Sequence, residues 1–458
     1  TNQLSSSRVG RLLLLYSLPS IVSMVMNSLY SAADAAFVAR SADAALGVAG
    51  LTVVFPLQMI LMGVGHLIGI GTASVVSRRI GEGKNKEAGK AVNTAILMVL
   101  VVGVPFVLLL YLLRSPFLRL FGAEASVFPY AEEYFRLILF SAPLFIANIT
   151  INNLLRGQGH AFKSMVCMVT SSGLNIPLDY LFVNLLQMGI RGAAWGTNLA
   201  ILAGTILGGI FLFSPRIVIP VSFHRGMDRK AIKPILSIGF APFLLQLFHG
   251  IFFLVLYRSV NNLGGPELLA LLGVVNRIYS FLLMPVIGLM YGMQPIVGYN
   301  LGAGRYPLVR KTFFTALAAA FLLTAAGYGV ILLKGSVVLS LFAVTPRWAA
   351  AGLRLLNLVM ACLPVIGIQI LGSAYFQAAG KGKEAAFLTL WRQFLILIPL
   401  LLILPGFWGL DGICVAFILA DGSSILLAVY LLFREKPLRR LKTQDSAHSV
   451  LTTEGTPA

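Results

Sequence analysis

Twelve mostly apolar stretches of about twenty residues or more follow one another along the sequence. Seven of them contain no ionisable residue, and each of the other five contains one. A transmembrane α-helix needs about 20 apolar residues, because each residue adds about 1.5 Å across the hydrocarbon core. The pattern therefore predicts twelve transmembrane helices, called here the first to the twelfth span. It excludes a transmembrane barrel, whose strands would be alternating segments of about 10 residues.

The composition agrees with lipid as the main solvent. Hydrophobic residues make up 58% of the 458 residues and charged residues only 11%, whereas soluble domains have roughly 25% charged residues. The net charge of +19 would suggest nucleic acid in a soluble protein, but here the basic residues lie in short loops between apolar stretches. A water-soluble enzyme, a nucleic-acid binder and a disordered chain are therefore excluded, and the lipid bilayer is the expected partner.

The distribution of Lys and Arg predicts the orientation in the membrane. Twelve spans put both termini on one side, and the termini and loops of that side carry 24 of the 35 Lys and Arg residues. The other side carries 9. Because an excess of Lys and Arg marks cytoplasmic loops, we expect a multi-pass protein of the plasma membrane with cytoplasmic N- and C-termini.

The sequence divides into two halves of six spans. We predict an N-terminal lobe at 1–213, a basic inter-lobe loop at 214–233, a C-terminal lobe at 234–433 and a polar tail at 434–458. Because six is an even number, the two halves should have the same orientation. A pseudo-two-fold axis along the membrane normal follows, with a binding site expected between the halves.

Short motifs recur between the halves at offsets of 220 to 223 residues. Residues 80–84 (IGEGK) match 301–305 (LGAGR), and Pro19 in the first span matches Pro242 in the seventh. No Walker-type loop for ATP is present in the sequence. Two parallel six-helix repeats without such a loop are typical of a secondary transporter.

In this order and spacing, the motifs resemble those of the MATE family, the multidrug and toxic compound extrusion transporters. The resemblance covers about residues 10 to 433, and within the family the sequence is similar to the DinF-like branch. It implies twelve helices in two lobes around a central cleft, and export of lipophilic cations in exchange for H⁺ or Na⁺. Its carriers are the two glycine loops above, Leu18-Pro19, and residues 34–39 (DAAFVA), 45–50 (ALGVAG), 155–159 (LRGQG) and 175–179 (NIPLD).

Asp34 in the first span is the leading candidate for a functional residue. A charged side chain at the centre of a span costs at least ~2.5–3.5 kcal/mol, so it is rarely present without a function. Asn27, Tyr30 and Asp34 are spaced i, i+3 and i+7, which places them on one face of the helix. Asp34 lies 22 residues, or about 33 Å, from Leu12. An interfacial aspartate that faces water is therefore the alternative interpretation.

Asp34, Asn175, Asp179 and Thr197 are expected to lie at similar depths in the outer half of the first lobe. Two carboxyl groups in a poorly solvated site cannot both ionise cheaply, so one should accept a proton. The Asn and Thr oxygens could equally help to hold Na⁺, and polar contacts that only join helices are a further alternative. In the family, the matching positions form the cation- or proton-binding site of this lobe, which favours the functional interpretation.

Two prolines are candidate hinges. Pro19 and Pro177 each remove a backbone hydrogen bond inside a predicted span and permit a kink there. A bend at the proline that matches Pro19 has been proposed as part of coupling in the family. A static kink is the alternative for both residues.

The second lobe carries a different set of polar residues. Arg277 and Asp421 should lie about 15 and 16 Å below the outer end of their spans, which predicts a structural ion pair. In the Na⁺-binding branch of the family, the seventh and tenth spans carry acidic residues, but here they carry His249, Gln369 and Gln377. This difference favours coupling through the first lobe, with H⁺ as the expected ion and Na⁺ as the alternative.

Two other functions have less support from the sequence. A flippase for lipid-linked saccharides would share the architecture, but it should line its cleft with several cations for a pyrophosphate, and only Arg277 and Arg392 lie deep. A membrane enzyme would need a nucleophile and base or a metal cluster, which five scattered histidines do not indicate. We therefore expect a monomeric exporter of small lipophilic cations, with no catalytic residue, metal or cofactor.

Overall fold

The chain folds into helices that are long enough to cross a membrane. The computed structural model describes residues 4, 6–38, 44–214, 217–219, 226–340, 342 and 346–438. Within these ranges the chain is almost entirely helical and contains no strand. Kinks and π-helical turns divide several of the helices. The described residues form eleven helical stretches that are long and apolar enough to cross a membrane, and the last, Gly382–Phe433, is long enough for two, which gives twelve spans.

The first lobe contains six spans. Their bounds are Val9–Val38, Ala44–Gly81, Asn85–Leu112, Phe128–Gly157, Ala161–Leu185 and Gly189–Leu212. The third span includes the π-helical turn Val99–Gly103 and is followed by the short helix Arg114–Leu120. The fifth span ends in the π-helical segment Tyr180–Leu185.

The second lobe contains the other six spans. The seventh and eighth form one run, Arg229–Gly302, that breaks at Gly265. The ninth is Tyr306–Ser340, and the tenth consists of Pro346–Val359, Leu363–Val365 and Gly367–Ala378. The eleventh and twelfth are formed by Gly382–Leu390, Trp391–Leu397 and Ile398–Phe433, with a break at Gly409. Both breaks have positive φ values, a conformation that glycine adopts readily because it lacks a Cβ.

The prediction of an all-helical fold with twelve spans is confirmed. The ends of the spans differ from the apolar stretches, because polar residues continue many of the helices. The seventh span begins at Arg229, inside the segment 214–233 that was predicted as a loop, and Asp228 caps it by accepting a hydrogen bond from the Lys230 N–H at 3.0 Å. Residues 220–225 and the predicted tail beyond 438 lie outside the described residues.

The two lobes meet through glycines at the ends of the second and eighth spans. A Cβ at Gly81 would lie 2.0 Å from the carbonyl oxygen of Tyr299, and one at Gly302 would lie 2.1 Å from that of Arg78. Adding 221 to residue numbers 78 and 81 gives 299 and 302. The same contact is therefore made twice with the roles of the lobes exchanged, as expected for the pseudo-two-fold axis.

The first span contacts both lobes. We call the membrane side on which this span begins the N-terminal side. Near that side, Leu12, Leu13 and Tyr16 belong to a buried apolar cluster that is otherwise mostly formed by the second lobe, including Phe313 and Leu371. The later part of the span packs in the first lobe, where Val38 belongs to the main apolar cluster. The first span thus connects the interior of one lobe to the other.

Candidate functional site

The structure brings Asn175, Asp179 and Thr197 into direct contact. Asp179 is completely buried, with 0% of its surface exposed. The side-chain amide of Asn175 donates hydrogen bonds to Asp179 Oδ1 and to Thr197 Oγ1, both at 3.2 Å. Asn175 and Asp179 are neighbours because residues four apart share a helix face, and Thr197 approaches them from the sixth span.

Asp34 faces these residues from the first span. Its side chain is half-buried, and its charge interacts with that of Asp179. Tyr30, one turn earlier, and Tyr134 of the fourth span interact electrostatically with both carboxyl groups. Four spans therefore converge on two carboxyl groups, which we call the carboxyl pair.

Three buried acceptor atoms at and beside the carboxyl pair lack a hydrogen-bond donor. Asp34 Oδ1, Asn175 Oδ1 and Asp179 Oδ2 are buried, and no hydrogen-bond partner for them occurs in the described part of the chain. A buried acceptor without a donor costs about 1–3 kcal/mol, and more if it is charged. A proton on one carboxyl group, or a cation between the two, would remove this cost. The arrangement is thus suited to taking up and releasing a small positive charge.

The helix that holds Asp179 changes its winding at this residue. Pro177 cannot donate a backbone hydrogen bond, and the α-helix gives way to π-helix at Tyr180, directly after Asp179. π-Helical turns are frequent at functional sites. Pro19, in contrast, lies inside the continuous helix Val9–Val38. The role of either proline as a hinge stays a prediction.

Asn27 and Tyr30, predicted on the same face as Asp34, differ in their surroundings. Tyr30 is half-buried and belongs to the site. Asn27 is exposed, and no hydrogen bond between the described residues joins it to the carboxyl pair. The supporting face of the first span is therefore shorter than the spacing predicted.

Sequence reasoning missed Tyr134 and its partner Gln58. The Gln58 amide donates a hydrogen bond to the Tyr134 hydroxyl at 3.3 Å. Tyr134 precedes the apolar stretch that defined the fourth span, but the helix begins at Phe128 and carries Tyr134 into the lobe. A tyrosine six residues into a helix gives no signal by itself, because its role depends on which spans surround it.

Gly196 provides the space that the Asp179 side chain occupies. A Cβ at this position would lie 2.2 Å from Asp179 Oδ1 and 3.2 Å from its backbone nitrogen. The sequence could not single out Gly196, because the chain contains 45 glycines. Close packing of the sixth span against the fifth therefore depends on a residue without a side chain.

Gly196→Ala should destabilise the protein by displacing Asp179. The carboxyl group would have to turn away from Asn175, and a hydrogen bond to a charged group is worth about 1.5–3 kcal/mol. We expect a lower midpoint of thermal unfolding in detergent. Gly209→Ala is the matched control on the same span, since a Cβ there has open space around it. Equal midpoints for the two variants would contradict the close contact.

The predicted ion pair between Arg277 and Asp421 is wrong. Asp421, only 1% exposed, pairs with Arg392 of the eleventh span, whose Nε lies 2.7 Å from Asp421 Oδ1. Arg392 also donates to the Tyr279 hydroxyl at 3.4 Å. Tyr279, two residues after Arg277, is buried and points inward. Because two residues correspond to about 200° around a helix, Arg277 points to the opposite side and is exposed. The buried carboxyl group of the second lobe thus has a permanent counter-ion, unlike the carboxyl pair.

The sequence is similar to a known family and to curated proteins along most of its length. The family model MatE matches residues 19–181 and 242–403, one segment in each lobe. The multidrug export protein MepA of Staphylococcus aureus (strain NCTC 8325 / PS 47) is 26% identical over 434 residues, which cover 93% of this chain and 94% of MepA. The similarity therefore extends over both lobes.

Solved structures share the fold over nearly the whole chain. The MATE multidrug transporter DinF-BH is 33% identical with a TM-score of 0.88, covering 93% of this chain and 96% of that one. A MATE solved in complex with MaL6 is 25% identical with a TM-score of 0.87, covering 94% and 96%. The resemblance to the MATE family and its DinF-like branch is thus confirmed. The chain belongs to the MatE family of membrane transporters.

Proposed function

We propose that this chain exports small lipophilic cations and takes up protons in exchange. One observation carries the proposal: a MatE-family fold holds two interacting carboxyl groups with unpartnered oxygens in its first lobe. The relatives support drug export, since MepA is a multidrug export protein and DinF-BH a multidrug transporter.

The carboxyl pair is proposed to hold one proton in one conformation and to lose it in another. With one proton, the pair avoids two negative charges in a poorly solvated site, and the protonated group can donate to an unpartnered oxygen. Without the proton, the two carboxylates repel each other. The ionised pair should therefore favour a conformation in which Asp34 on the first span moves away from Asp179 on the fifth.

The first span is positioned to transmit such a movement to the second lobe. On the N-terminal side, Ser17 and Ile21 pack against Gly292 and Gly288 of the eighth span so closely that a Cβ on either glycine would meet them at 2.2 Å. A displacement at Asp34 would therefore change the contact between the lobes. This supports alternating access, in which one repeat rocks against the other around a fixed site.

The orientation of Asn175 favours a proton over Na⁺. Its amide donates to Asp179 Oδ1, so its oxygen is directed away from that atom. A hard cation prefers oxygen ligands, and a Na⁺ ion shared by Asp179 Oδ1 and Asn175 would require the amide to turn around. A proton needs no such rearrangement, because the amide can remain a donor to the ionised carboxylate.

The second lobe supports neither a second ion site at Asp421 nor the flippase alternative. Arg392 neutralises Asp421, so this carboxyl group already has a cation. A pyrophosphate-binding cleft would need deep arginines that are free to bind phosphate, but Arg392 is already paired with Asp421.

We also propose that both termini lie on the cytoplasmic side of the plasma membrane, which the excess of Lys and Arg on their side supports. The proposed functional unit is a monomer.

Efflux should follow the proton gradient. In inside-out vesicles with an acidic lumen, we expect a fluorescent lipophilic cation to accumulate as protons leave the lumen through the transporter. A Na⁺ gradient imposed at equal pH should produce no accumulation. Accumulation that persists with the pH gradient collapsed but requires a Na⁺ gradient would contradict proton coupling while leaving drug export intact. No accumulation under either gradient would contradict export itself.

A further inference from the structure

Arg156 is a buried cation between the two lobes, away from the carboxyl pair. It lies near the N-terminal-side end of the fourth span, with 6% of its surface exposed. Its Nη2 donates to Asn153 Oδ1 at 2.8 Å, and its guanidinium lies 4.0 Å from the centre of the Tyr291 ring in the eighth span. Arg156 therefore belongs to the first lobe but contacts the second.

The charge of Arg156 has no carboxylate partner within the ranges that the structure describes. Its Nε and Nη1 are buried, and neither finds a hydrogen-bond acceptor there. His66 of the second span also interacts with Arg156 electrostatically, but a histidine contributes no negative charge. A buried cation without a counter-ion is strongly unfavourable, and the face of one aromatic ring offsets only part of this cost.

A cavity lies next to the unpartnered nitrogens. Besides Arg156 and Tyr291, it is lined by Ser74 and Ser77 of the second span and by Gln294 of the eighth. Its volume is about 20 Å³, and a cavity needs about 10–15 Å³ to hold one water. The cavity therefore has room for a small ligand but not for a drug.

We propose that this cavity binds one small monovalent anion, a halide such as chloride, against Nε and Nη1 of Arg156. The small size of the cavity favours a monatomic ion, and the guanidinium selects a negative one. Gln294 offers a further amide N–H, beyond the one that it donates to the Gln377 side chain at 2.8 Å. The anion supplies the counter-charge that the protein does not provide.

Anion binding stabilises the conformation in which the lobes meet at this cavity. Walls from both lobes enclose the ion, so the site exists only while the lobes are in contact here. A ligand that binds one conformation stabilises it by mass action. This effect requires neither proton coupling nor a particular drug.

The test uses the full chain purified in detergent, with chloride exchanged for gluconate at constant ionic strength. The midpoint of thermal unfolding should rise with chloride concentration and saturate, and bromide should act in the same way. Arg156→Gln should lose this dependence. Arg310→Gln is the matched control: this arginine also stacks on an aromatic ring and has a buried, unpartnered Nε, but it does not line the cavity. It should keep the wild-type response to chloride.

A second measurement locates the ion even if Arg156→Gln does not fold. Crystals of the unchanged chain grown in bromide should show an anomalous peak in contact with the Arg156 guanidinium. A midpoint that does not respond to halide, an equal response in Arg156→Gln, or only water in the cavity of bromide crystals would overturn the proposal.

Discussion

Asp34→Asn should reduce drug efflux to the background of vesicles without the transporter, while the protein still folds and inserts. Asparagine keeps the shape of the side chain but cannot take up a proton at neutral pH. It also removes the repulsion between Asp34 and Asp179, so the conformation that the ionised pair favours is lost. The measurement is the initial rate of efflux of a fluorescent cation, compared at equal amounts of protein in the membrane.

Three further variants separate the role of the pair from a general effect of losing a carboxylate. Asp179→Asn should abolish efflux as well, and the double variant should be no worse than either single one, because residues that act as a unit are not additive. Asp411→Asn is the matched control, since the Asp411 side chain is partly exposed and pairs with Arg354 at 3.0 Å. Wild-type efflux in Asp34→Asn would show that the site is assigned wrongly.

Asp421→Ala should destabilise the protein by about 3–5 kcal/mol, because it leaves Arg392 buried without its counter-ion. Replacing both partners, as in Arg392→Met with Asp421→Leu, should recover most of this loss, since an apolar pair can substitute for a buried ion pair. The free energy of unfolding in detergent measures both effects.

The exposed pair between Arg354 and Asp411 provides the comparison for this prediction. Its side chains are 66% and 46% exposed, so Asp411→Ala should cost only about 0–1 kcal/mol. Similar losses for Asp411→Ala and Asp421→Ala would contradict the burial of the Arg392 pair. So would a double variant that is as unstable as Asp421→Ala alone.

The number of spans and most residues of the site around the carboxyl pair could be predicted, because they depend on distances along the chain. An apolar stretch has to match the thickness of the bilayer, and Asn175 and Asp179 are adjacent on any helix. Thr197 and Asp34 followed from their depth in the membrane. Depth does not fix the direction in which a side chain points. For that reason the sequence predicts a pair between Arg277 and Asp421, whereas in the structure Asp421 pairs with Arg392.

Contacts between distant spans were outside the reach of sequence reasoning. Gly196 fits Asp179 only because the fifth and sixth spans pack closely, and Tyr134 joins the site only because the fourth helix begins early. Arg156 is one of the 24 Lys and Arg residues that the sequence assigns to the side of the termini, but packing against Tyr291 buries it between the lobes. A count of charges by side cannot distinguish a loop arginine from one enclosed by a second lobe.

The exchanged glycine contacts have a consequence for the origin of the chain. Gly81 meets Tyr299 and Gly302 meets Arg78, which is the reciprocal relation found between identical subunits of a two-fold dimer. A single six-helix unit with this surface could have bound a second copy of itself. Six spans also return the chain to the side on which it started, so two such genes could fuse through a short connection, without an added span and without inverting either unit.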